Sequence, residues 1–189
     1  MNREKRNSGF ISVGKEIFIK GSDVQQVLDY ESKEARRRTR FAIEQKMFYN
    51  CVARTCKRLS VIITNDGRVF GTGFLPKTII ERLAQVGFHF LKVGSGLFLS
   101  VNQIDSFYGF NGVVATQLRK ARLETANISL VRKTKQRKTT ILLKTGECVS
   151  VACTPEKIVE AIGDGLAKAD RSQDTHDIEI SKLNSKWTS

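Results

Sequence analysis

Histidine is scarce in this chain of 189 residues: His89 and His176 are the two present. General acid–base chemistry has few carriers as a result, and a lone His89 beside a strand pattern reads as a packed or surface residue. The glycines offer no phosphate loop, because Gly94-Ser-Gly96 lacks the Gly-Lys-Ser/Thr ending. Asp105 and Glu124 have no evident acid partner. No catalytic residue, cofactor or small-molecule substrate is therefore expected. Apolar residues make up 40% of the chain, enough for a core, but no window approaches the roughly 18 apolar residues of a membrane span. The basic start, Met1-Asn-Arg-Glu-Lys-Arg6, is not followed by the apolar stretch of a secretory signal. A soluble, cytoplasmic and nucleoid-associated protein is expected, with no membrane partner. Cysteine is limited to Cys51, Cys56, Cys148 and Cys153, in two C-x4-C pairs. That spacing invites a zinc reading. On a continuous strand, however, a separation of five places the thiols on opposite faces. Buried thiols in a reducing compartment are the expectation, with no metal.

What the chain has in excess is positive charge, a formal +13. A basic chain of this kind usually meets a polyanion. The excess is not spread evenly. From Asp164 to Ser189 five acids face four bases. The stretch between Val131 and Thr139 holds five cations, Arg132, Lys133, Lys135, Arg137 and Lys138, and no acid. Read as an extended strand arm over 128–138, alternation puts Lys133, Lys135 and Arg137 on one face at a spacing of about 6.6 Å. Arg132 and Lys138 fall on the other. Such a row can track a phosphate backbone, although a charged strand also serves to protect a sheet edge. Arg54, Lys57 and Arg58 are the weaker first-half equivalents. A second cluster is Arg36-Arg-Arg-Thr-Arg40, in which a helix would put Arg36 and Arg40 on one face. Arg119 and Arg122 occupy the corresponding region of the second half. A solvated helix face explains this cluster equally well.

The chain is also repetitive. Gly67 and Gly146, Pro76 and Pro155, Ile79 and Ile158, and Arg58 and Arg137 are each separated by the same 79 positions. Arg40 and Arg119 fit the same offset. The echo of Ser12-Val13 in Ser100-Val101 implies about nine extra residues before the first helix. Within each half, β-branched and aromatic stretches at 10–20 and 90–101 read as strands. Residues 24–46 read as a helix, with Val24, Val27, Leu28, Ala35, Phe41 and Ile43 facing inward and a break near Ser32. Residues 113–125 supply its counterpart. Asn65-Asp-Gly67 marks a hairpin, Pro76 and Pro155 start helices, and Gly87 closes the first of these. The expected fold is α+β: two tandem repeats, each a small antiparallel sheet in the order β-β-α-β-β-β-α with two helices. The expected division is 9–87, 89–168 and a polar, disordered tail at 169–189, with Trp187 a candidate docking residue.

Each half resembles the RemA family, the bacterial extracellular matrix regulatory proteins. The second half supplies Gly94-Ser-Gly-Leu-Phe-Leu-Ser-Val-Asn102, Lys120-Ala-Arg122, Thr134-Lys-Gln-Arg-Lys138 and Pro155-Glu-Lys-Ile158. The first half matches best at Val61-Ile-Ile-Thr-Asn-Asp-Gly67 and Leu75-Pro-Lys-Thr-Ile-Ile-Glu-Arg-Leu83. The family's Asp-Ala-Thr-Tyr-Gly element is missing from both halves, and Cys56 and Leu59 stand at basic positions of the first. The resemblance implies a DNA-binding transcriptional regulator that assembles into rings, one tandem chain standing in for two subunits. Duplex DNA and further copies of the chain are thus the expected partners. The alternatives are a single-strand or RNA-binding module, with Phe48, Tyr49 or Phe107 stacking bases, and an adaptor for an acidic protein.

Overall fold

A computed structural model describes residues 9–94, 96–121, 127–129 and 136–163. The chain begins with β1 (Phe10–Gly14) and β2 (Ile17–Lys20), then passes through a 3-10 turn into β3 (Val24–Asp29) and α1 (Lys33–Glu44). There follow β4 (Phe48–Asn50), β5 (Ser60–Thr64), β6 (Val69–Thr72) and α2 (Pro76–Gln85). Next come β7 (Phe90–Gly94), β8 (Leu97–Ser100), a second 3-10 turn, β9 (Ile104–Gly109) and α3 (Val113–Ala121). After them stand β10 (Asn127–Ser129), β11 (Thr139–Leu143) and β12 (Cys148–Val151). A helix, α4, covers 155–163. The fold is mixed α+β with open sheets. Among the described residues no helix is long and apolar enough to cross a membrane.

Three sheets organise these strands. One has the order β4-β6-β5-β3-β8-β7, a second β10-β12-β11-β9, and the third is the hairpin β1-β2. The first two share the same internal sequence of strands, and their registers coincide. Phe10 pairs with Lys20 and Ser12 with Phe18, as Phe90 does with Ser100 and Lys92 with Phe98. Val27 lies opposite Ile62, as Phe107 lies opposite Ile141. One asymmetry stands out: β7–β8 does not stay apart but joins the first sheet. β8 pairs antiparallel to β3, Gln26 opposite Leu99, Val27 opposite Phe98 and Leu28 opposite Leu97.

β3 is buried because both of its faces and both of its edges are covered. On one face Val24 and Val27 join Ile11, Val13, Ile19, Ile62 and Phe70, closed by Ile79 and Leu83 of α2. On the other, Leu28, Val61 and Ile63 meet Ala35 and Ala42 of α1. That second cluster continues through Leu91, Val93, Leu97 and Leu99 to Ile141, Leu143, Val149, Val151 and Ile158. Strands covered on both faces carry near-continuous apolar runs, as Val61-Ile-Ile63 does. Polar contacts cross in the same region. Gln25 Nε2 donates to Thr145 Oγ1 at 2.6 Å, Gln26 Nε2 to Glu147 Oε2 at 2.7 Å, and Arg38 pairs with Glu147 at 2.7 Å.

Several expectations change. Residues 24–46 do not form one helix: Val24–Asp29 is a strand, and α1 starts at Lys33, capped by Ser32 Oγ accepting from Ala35 N at 3.1 Å. Phe41 and Ile43 are exposed on α1, and Ala35, Thr39 and Ala42 face inward. The element order thus gains a strand before the helix. The sheets are mixed, because β4 runs parallel to β6 and β10 parallel to β12. No nine-residue insertion precedes α1. The hairpins begin at Phe10 and Phe90, and the helices at Lys33 and Val113, a spacing of 80 in both cases. Arg119 therefore corresponds to Thr39, not to Arg40. The tail from 164 onward, Trp187 included, lies outside the described residues.

Candidate nucleic-acid interface

Between β4 and β5 the chain has nine residues in which to leave one sheet edge and return. Both ends of this loop are bonded to β6: Cys51 N donates to Gly71 O at 2.9 Å and Leu59 N to Thr72 O at 2.8 Å. Between them Cys56 N closes a turn on Ala53 O at 3.0 Å. Arg54 and Lys57 therefore sit on a bonded loop, not on an extended strand, and the expected alternation of faces does not apply to them. Both are exposed and make no ion pair among the described residues. Cys51 is buried and Cys56 exposed. Burial pushes the Cys51 thiol above its ordinary pKa, against a smaller lowering by Lys15.

Arg58 is built differently. Its guanidinium lies 5.1 Å from the Phe48 ring centre and 5.6 Å from that of Tyr30. Nη1 donates to the Tyr30 hydroxyl at 2.9 Å, and Nε donates to Asn50 Oδ1 at 3.2 Å. Three side chains, two from β4 and one from the turn after β3, thus fix one cation, which presents its remaining donors from a half-buried seat. The loop lines a cleft of about 470 Å³ together with Asp29 and Glu31. Its charge is therefore divided, basic on the loop and acidic at the entrance to α1.

The second loop repeats part of this construction. Arg137 lies 5.7 Å from the ring centre of Phe110, the residue that follows β9 as Tyr30 follows β3. Lys138 is tied through its backbone, donating to Val151 O at 2.9 Å and accepting from Phe110 N at 2.8 Å, while its side chain is exposed. Residues 136–138 are not strand. Arg132, Lys133 and Lys135 lie outside the described residues, as does Arg122. Arg119 lies in α3, but its side chain is likewise outside the description.

The arginine run of α1 is largely answered within the chain. Arg36 pairs with Glu31, Arg37 with Glu34 at 2.8 Å, and Arg38 with both Glu34 at 3.0 Å and Glu147. The hydrogen bonds that Arg37 donates to the Glu34 carboxylate raise the Arg37 pKa above its ordinary value. Arg40 is exposed and makes no ion pair among the described residues. Of the aromatic candidates, Phe48 lies under Arg58, Phe107 is half-buried in β9, and Tyr49 stacks on Phe70 with ring centres 5.1 Å apart. His89 is half-buried. Among the described residues no group of three or more His, Cys, Asp or Glu side chains could hold a metal ion.

Charge counting finds the cations but misses Tyr30, Phe48, Asn50 and Phe110, which seat two of them. One signal was present in the sequence: an aromatic residue stands shortly before α1 and α3, and an arginine shortly before β5 and β11. A scan of protein-family models finds no match to this chain, and no curated protein sequence matches it.

Proposed function

We propose that this chain is a DNA-binding regulator or nucleoid-type protein, a tandem duplication of a RemA-like domain that contacts the duplex backbone and does so as an oligomer. One observation carries this reading. In each half an arginine, Arg58 or Arg137, rests on an aromatic ring, next to exposed cations on a loop whose backbone is bonded to the sheet. A seated guanidinium gives up less side-chain freedom on meeting a phosphate than a freely rotating one. Flanking residues such as Arg54, Lys57 and Lys138 add charge without direction. The duplicated registers and the net charge of +13 support the same reading. Phosphate contacts of this kind position a protein and carry no base sequence. Any sequence preference would come from DNA shape.

The test is duplex binding as a function of salt. The affinity should fall steeply, with a log–log slope of about −0.9 for each phosphate neutralised. Charge reversal at Arg54, Lys57 and Lys138 together should weaken binding at least tenfold and flatten that slope. Binding insensitive to salt would overturn the reading. Preference for single-stranded RNA in competition would favour the RNA alternative, and duplex binding unchanged by the reversal would favour an acidic protein partner.

A further inference from the structure

The joint between β3 and β8 has two loose ends elsewhere in the same chain. β8 covers the edge of β3. The strand that corresponds to β8 is β2, which pairs only with β1 among the described residues. The strand that corresponds to β3 is β9, which forms an edge of its sheet. We propose that the β1–β2 hairpin of one chain pairs with the open edge of β9 in a second copy, head to tail, in the register that β8 adopts on β3. This names the partner behind the oligomer in the reading above, but it rests on strand topology and needs no nucleic acid.

Exposure marks both halves of the vacant joint. Leu97 and Leu99 of β8 are fully buried and Phe98 is half-buried. In β2 the same pattern reads Ile17-Phe-Ile19, yet Phe18 is 62% exposed. Five of the six residues of β3 are buried, and none of β9 is. An open strand edge and a hairpin that leaves Phe10 and Phe18 exposed are what strand addition uses. Carried over, the internal register puts Phe18 opposite Phe107, Ile19 opposite Ser106 and Ile17 opposite Tyr108. Cross-strand aromatic pairs of this kind stabilise antiparallel strands.

The tightest point of the joint also matches. Inside the chain Asp29 N donates to Gly96 O at 2.6 Å, and a Cβ placed on Gly96 would stand 2.5 Å from the Asp29 Cβ. Gly96 has φ +71. At the vacant joint the corresponding residues are Glu16 and Gly109. Glu16 already holds a left-handed φ of +60, and Gly109 has nothing within 4 Å of its missing Cβ. The glycine has changed sides, so each joint has one Cβ and one gap. The polar fringe is likewise replaced. Glu147 reaches Gln26 and Arg38 inside the chain, and the corresponding outer residues are Arg68 on one copy and Ser106 beside Asp105 on the next.

Because the two surfaces differ, the contact is heterologous, and it either closes into a ring or continues as a filament. Light scattering on the full chain, free of nucleic acid, tests it. The expected result is a mass above one chain. A single finite mass identifies a ring and a mass that grows with concentration a filament, and both support the joint. Phe18→Lys, at an exposed position, should reduce the mass to one chain without changing the thermal midpoint. Gly109→Ala should do the same by placing a second Cβ against Glu16. Adding Glu16→Gly to Gly109→Ala recreates the internal pairing and should restore the assembly. A wild-type chain that stays monomeric overturns the proposal. So does an assembly that survives both single substitutions, or one that the double variant fails to restore. Loss of DNA binding with assembly intact would refute the reading above and leave this one standing.

Discussion

Arg58 shows how one side chain can be both a fold element and a contact. Two rings, a phenol and an amide hold it. Arg58→Ala removes a cation–π contact and hydrogen bonds that together contribute about 2 kcal/mol, so the thermal midpoint should fall along with DNA affinity. Arg54→Ala and Lys57→Ala should leave unfolding within about 0.5 kcal/mol of the parent, while each lowers the salt slope of binding by about 1. Equal melting of all three variants would mean that the aromatic seat contributes nothing. At this scale the charges were legible and their settings were not. Tyr30 stands 28 positions before Arg58, too far for any local spacing to join them. The same limit hid the pair of Arg38 with Glu147, whereas Glu31 and Glu34, which answer Arg36, Arg37 and Arg38, stand within five positions of them.

Among the elements, β3 was misread as helix. Val24, Val27 and Leu28 recur at i, i+3 and i+4, a helical spacing, yet the segment is six residues buried on both faces. A strand covered on both faces loses the alternation that would identify it. Ser32, marked in the sequence as a break, proved to be the true start of α1. Pro76 at the start of α2 and the Asn65-Asp66-Gly67 turn were legible because their chemistry is local. Gly67 N bonds Thr64 O at 2.9 Å, and Asp66 Oδ1 accepts from Thr64 Oγ1 at 2.6 Å. The β7–β8 turn is local too, but its constraint is not. Gly96→Ala would drive a Cβ into Asp29 and strain a left-handed residue, a cost of at least about 2 kcal/mol. Denaturant unfolding should report that loss as a lower midpoint. An unchanged midpoint would show that β8 does not press on β3 as closely as these distances require.

For the whole molecule, the mixed α+β class could be read from the spacing of glycine, proline and apolar residues, because those choices are made locally. The way the parts meet could not. The joint of β3 with β8 links residues about 70 positions apart, and nothing in either strand names the other. Its consequence is that the peptide link at Gly87 carries little of the cohesion between the two lengths of chain. Strand pairing, the shared apolar cluster and the bonds of Gln25, Gln26 and Arg38 to Thr145 and Glu147 all cross it. A gene cut after Gly87 should therefore yield two polypeptides that copurify as a one-to-one complex, with Gly96→Ala weakening their recovery. The link would then act mainly as a tether that raises the effective concentration of one part near the other. The molecule is thus a two-piece clasp shipped already fastened, and it can be unfastened and reclosed in trans as a split reporter.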